Sequence, residues 1–167
     1  GYDIDKYEEL LFFMRDQKMA IPALASLYHL GKGAARVMNA GKVPGVHVSD
    51  DLFEKITNQW EVADEGRKEA IDRTARLGAV LKGIGYKGIH LGGIHGSFSV
   101  VEKILDRMEE IEHNWEEYRE EFKENKKDRF YLYHKDLDPK EGIPSDNPIE
   151  LKISESCHYL FLRTAHD

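Results

Sequence analysis

Two short apolar runs, residues 20–27 and 86–91, constrain this chain most, because a long stretch of helical period lies between them. Each run is too short for a typical helix. The first has no polar alternation, which suits a strand buried on both faces. Strands joined by a long crossover pair side by side in parallel. Pro22 argues against a central ladder position at that residue. The expected fold is therefore α/β, helix-rich, with two parallel strands.

The helices follow from spacing and caps. Residues 5–18 place Tyr7, Leu10, Leu11 and Met14 on one stripe, with Asp5 and Glu8 as a capping box. Residues 33–40 read as a short helix, 41–45 as a turn and 46–48 as a brief extended piece. Ser49 caps a helix carrying Leu52, Phe53 and Ile56, with Asp50 and Asp51 at its positive end. A long helix is expected over residues 64–82, with Ala70, Ile71, Thr74, Leu77 and Leu81 on its inner face and Gly83 and Gly85 ending it. Ser99 and Glu102 form another capping box, followed by Val100, Val101, Ile104, Leu105 and Met108 at helical spacing. Residues 114–127 read as a charged surface helix with Trp115, Tyr118 and Phe122 on one stripe. Residues 130–133 read as an aromatic strand or arm, 136–148 as loop, and Ser154 starts a final amphipathic helix.

Composition excludes several classes. Of 167 residues, 41% are hydrophobic and 33% charged, a globular balance. A net charge of −7 without a basic run disfavours nucleic acid and anionic membranes as partners, and no apolar stretch reaches membrane-helix length. One cysteine, Cys157, precludes an internal disulfide and fits a reducing, cytoplasmic setting. The eight histidines show no zinc-site spacing, and Cys157-His158 reads as packing, so no metal is expected. The first residues carry no secretory signal pattern.

The chemistry is expected at the C-terminal ends of the two strands, where α/β barrels place their sites. The first end offers Ser26, Tyr28 and His29, with Lys32 and Arg36 just beyond. The second offers Gly92, Gly93, Ile94 and His95 ahead of a helix. Glycines there either let a ligand approach the backbone or serve a tight turn that needs positive φ, and both readings stay open. His90, inside its strand, reads as a core or barrel-lumen histidine.

The runs 2–7 (Tyr-Asp-Ile-Asp-Lys-Tyr), 20–24 (Ala-Ile-Pro-Ala-Leu), 45–52 (Gly-Val-His-Val-Ser-Asp-Asp-Leu) and 88–91 (Gly-Ile-His-Leu), in that order, resemble the C-terminal part of methylenetetrahydrofolate reductase. The resemblance covers about residues 2–112. It implies the C-terminal portion of a (β/α)8 TIM-type barrel, with residues 1–112 in the barrel and 113–167 as a helical and extended, linker-like tail. It implies a flavin-dependent oxidoreductase that converts methylenetetrahydrofolate to methyltetrahydrofolate. FAD would carry the hydride, with NAD(P)H or another donor as reductant. Most flavin contacts and the proton donor would lie upstream, so no catalytic residue is assigned within the chain. Its residues would form part of the folate-pocket wall. Lys32 and Arg36 fall where some members have a Gln and a Phe against the folate. Ile94 matches an apolar position, Gly96 stands where some members have an Arg, and Gly92-Gly93 replace a bulkier pair and would open the pocket.

Two strands do not cover both faces and edges of a sheet, so the chain is expected to need the N-terminal part of the barrel or other subunits, or to self-associate as an oligomer. Activity of the isolated chain is not expected. The alternatives are a non-catalytic module that docks on a partner enzyme through its acidic helices and the 130–133 arm, or a half-barrel of another pterin or methyl-transfer enzyme.

Overall fold

The computed structural model describes residues 2–44, 46–61, 64–94 and 96–123. The expected 130–133 arm, the 136–148 loop, the helix from Ser154, and Cys157 and His158 lie outside them.

The elements run α1 (Ile4–Asp16), β1 (Leu24–Tyr28), α2 (Lys32–Asn39), α3 (Asp50–Gln59), α4 (Arg67–Ile84), β2 (Gly88–Gly92), α5 (Phe98–Ile111) and a 3-10 segment, Glu112–Phe122. The fold is mixed α/β and rich in helix. β1 and β2 pair in parallel, in register from Leu24 opposite Gly88 to Tyr28 opposite Gly92. Pro22 precedes β1, so its missing N–H costs the ladder nothing.

The expectation that the first strand is buried on both faces is corrected. Ala25 and Leu27 are buried, whereas Leu24 is 68% exposed and Ser26 is exposed too. Alternation along a strand sends successive side chains to opposite faces. One face, with Ala25, Leu27, Ile89 and Leu91, packs into the core. Among the described residues the other is open at Leu24, Ser26 and His90 and half-buried at Tyr28. On it Leu24 lies over Gly88, the Ser26 hydroxyl meets His90 Nδ1 at 3.3 Å, and the Tyr28 ring lies over Gly92. This face hid in the sequence because Leu24 and Tyr28 are apolar enough to mask it.

α4 is the central packing element. Ala70, Thr74, Leu77 and Leu81 are buried as expected, and Ala75, Ala79 and Val80 join them. Gly78 receives Met108 of α5 and Ile89 of β2, which lets α5 approach closely. Gly83 does not end α4 but lies within it. A Cβ there would stand 2.2 Å from the Trp115 indole, so this glycine makes room for the 3-10 segment. Gly85, at φ 122, is the C-cap, where its lack of a Cβ is required.

The stripe Trp115, Tyr118 and Phe122 is thus part of the main core and not a solvent-facing surface. Non-helical backbone at Asn114 interrupts the segment. Arg119 clamps Glu8 of α1 through two bonds of 2.9 and 2.7 Å. Arg76 joins Glu69, Asp72 and Glu121.

Two caps differ in position from the reading of the sequence. Asp3, not Asp5, caps α1, accepting from the Asp5 N–H. Ser97, not Ser99, precedes α5, and their hydroxyls meet at 3.1 Å. Ser49 caps α3 as read, accepting from the Leu52 N–H. The α4 helix starts at Arg67, three residues later than expected, because the Asp64 carboxylate accepts from Gly66 and Lys68 N–H and holds a turn with Gly66 at φ 67.

Among the described residues, no helix is long and apolar enough to cross a membrane.

Candidate functional site at the strand ends

The chain leaves β1 at Tyr28 and turns at once. The His29 N–H donates to the Gly92 carbonyl at 2.8 Å, which extends the strand pairing by one residue. The Tyr2 hydroxyl donates to the Tyr28 carbonyl and ties the N-terminal segment to the same corner. Leu30, fully buried, then anchors the turn, and Gly31 caps α2.

Beyond that turn lies a cavity of about 210 Å³. His29, Leu30, Gly31 and Lys32 form one wall, Ile56, Gln59 and Trp60 of α3 and its C-cap a second, and Arg67, Ala70 and Arg73 of α4 a third. Lys32 Nζ sits 5.9 Å from the centre of the Trp60 ring, a cation–π approach.

His29 is held by α4. Its Nδ1 meets Thr74 Oγ1 at 3.1 Å, while that hydroxyl donates to the Ala70 carbonyl at 2.7 Å. The single threonine proton is therefore spent on Ala70, so His29 donates from Nδ1 and Nε2 keeps its lone pair. Burial, and then the Arg73 charge, push the His29 pKa below its ordinary value, so the ring is neutral at physiological pH.

Arg73 is 2% exposed and sits on the buried stripe of α4. It donates to Gln59 Oε1 and to the Leu30 carbonyl, each at 2.8 Å, and so staples α3 and the β1 turn to α4. Its Nε has no partner among the described residues. Sequence reasoning missed this residue, although one signal was present: Arg73 stands three residues after Ala70 and four before Leu77, inside the apolar stripe.

The expected site residues separate into three groups. His29 and Lys32 line the cavity. Ser26 lies on the open sheet face with His90, and Arg36 is exposed one turn along α2. Tyr28, Gly92, Gly93 and Ile94 serve packing. A Cβ on Gly93, whose φ is 79, would stand 2.6 Å from the Tyr28 ring and 2.8 Å from the His29 carbonyl. Gly92-Gly93 therefore do not open a pocket; the tyrosine fills that space, and the turn reading of the glycines holds for Gly93. Ile94 packs against Ala75, Ile104 and Met108. His95 lies outside the described residues.

Ser26 and His90 form a hydroxyl–imidazole pair, but a nucleophilic serine also needs an orienting group and an oxyanion hole. Among the described residues, no group of three or more His, Cys, Asp or Glu side chains is placed to hold a metal.

Comparison with models of protein families, with curated proteins and with solved structures found no match to this chain.

Proposed function

We propose that this chain supplies closing strands of a (β/α) barrel of the methylenetetrahydrofolate reductase type, and part of its folate-pocket wall. The observation that carries the reading is the asymmetry of the sheet. Two parallel strands, joined through α2, α3 and α4, are packed by helices on one face and, among the described residues, largely open on the other, at Leu24, Ser26 and His90. In a closed (β/α) barrel that second face is the lumen, filled by side chains of the other strands. A polar pair such as Ser26 and His90 suits a lumen close to a ligand. The motif resemblance of residues 2–112 supplies the reaction class.

The described residues do not by themselves fit a flavin. The cavity at the β1 end is smaller than the several hundred Å³ typical of cofactor pockets, and Tyr28 fills the space over Gly93. No hydride step is assigned to them. Their part in this reading is to present the strand-end wall, with FAD and NAD(P)H or another donor bound mainly by other strands.

Flavin absorbance tests the reading. The purified chain alone is expected to carry none, and co-expression with the polypeptide encoded upstream is expected to yield a yellow complex. A colourless complex would overturn it. The second reading, a docking module, is favoured by exposed apolar residues such as Phe98, 84% exposed, and Leu24. It predicts a flavin-free complex with a partner enzyme.

A further inference from the structure

We infer that the cavity at the end of β1 binds a small oxyanion, a phosphate or carboxylate group, between Arg73, Lys32 and the first turn of α2. The inference stands on the charge balance of the cavity and does not require the reductase reading.

Arg73 is the decisive residue. A guanidinium removed from water needs an anion or a full set of acceptors. Arg73 has two neutral acceptors, Gln59 and Leu30, and an unpartnered Nε. The carboxylates whose fields reach it, Glu69 and Glu121, are both committed to Arg76, at 2.8 and 2.7 Å. Among the described residues no carboxylate forms an ion pair with Arg73. A positive charge is thus buried at the cavity wall without its counter-ion.

The surroundings add to that charge. Lys32 and Arg67 line the same cavity, and Glu65, the one carboxylate among its described lining residues, already pairs with Arg67 at 2.7 Å. His29 is neutral and contributes no negative charge. α2 starts here with a glycine cap, so its N-terminal amides receive no bond from a cap side chain, and Gly31 and Lys32 line the cavity. An uncapped helix start offers N–H groups and the positive end of the helix dipole to an anion. The start of α4 is different, because Asp64 already occupies it. The anion is therefore assigned to the α2 side. The cavity volume admits one such group with its attached carbon or ester, which identifies a part of a larger ligand or a free small anion.

Calorimetric titration of the full chain with inorganic phosphate, and separately with glutarate, at matched ionic strength tests the site. Saturable binding of either anion is expected. Lys32→Gln should weaken it by about tenfold, the loss of one charge-assisted contact. Lys82→Gln, at the far end of α4, should leave it unchanged. Phosphate binding the tighter marks a phosphoryl group as the ligand; glutarate the tighter marks a carboxylate. Absence of saturable binding to both, or equal weakening by Lys32→Gln and Lys82→Gln, would overturn the inference. No flavin enters the titration, so its outcome is independent of the test of the reductase reading.

Discussion

The two faces of the β1–β2 sheet share one backbone and one register, yet they have opposite fates. On one face Ala25 and Leu27 are nearly sealed, with Ile89 and Leu91 packed beside them against helices. On the other, Leu24 and His90 stand in the open. Helices have finished the first face. The second has a cross-strand order of its own, with Leu24 over Gly88, Ser26 to His90 and Tyr28 over Gly92. Exposed parallel sheet is rare, because crossover helices or further strands normally cover it. A half-covered parallel pair therefore teaches where the fold expects more protein, and the proposed barrel lumen is one way to supply it.

Substitutions sharpen this contrast. The largest effect is expected on the finished side, where Leu77→Asp would bury a charge with no partner and cost about 3–5 kcal/mol. Chemical denaturation reads it directly, and an unchanged midpoint would show that α4 does not carry the core. Gly83→Val should cost about 1–3 kcal/mol by driving Trp115 off α4, seen as a change in tryptophan fluorescence together with lower stability. Gly93→Val should act in the same range, about 1–3 kcal/mol, because it combines positive φ with collision against Tyr28. This follows the turn reading of Gly93, against the expectation that glycine there lets a ligand approach the backbone. Loss of ligand binding at full stability would restore that expectation.

A smaller effect is expected from pH. The folded state holds the His29 pKa below the ordinary 6.5, so the unfolded chain takes up the proton first as pH falls. The stability tied to His29 is complete above 6.5 and is lost as pH drops through the lowered folded value. His29→Gln should flatten the decline in melting temperature over that window, and an identical slope would remove His29 as its source. The smallest effect belongs to the open face. Leu24→Asp should change the stability of the chain alone by no more than about 0.5 kcal/mol. A large loss would mean that this face is already packed.

Much of the architecture was legible because it rests on local rules. Helical spacing located α4, the Ser49 cap located the start of α3, and the long crossover dictated parallel pairing. Features set by tertiary contact were not legible. Nothing local distinguishes Gly83 as a seat for Trp115 from Gly83 as a helix end. The 3-10 segment looked solvated because its charges outnumber its three aromatic anchors. Of the nine expected site residues, His29 and Lys32 meet at the cavity, while Tyr28 fills the space over Gly93. Arg73 was not legible because its partners, Gln59 and the Leu30 carbonyl, are brought to it only by the tertiary fold.

The sheet contrast is tested most directly by amide hydrogen exchange on β1 and β2, for the chain alone and for its complex with the polypeptide encoded upstream. The account predicts fast exchange at the outer strand edges of the isolated chain and strong protection in the complex. Unchanged exchange on forming the complex would contradict it.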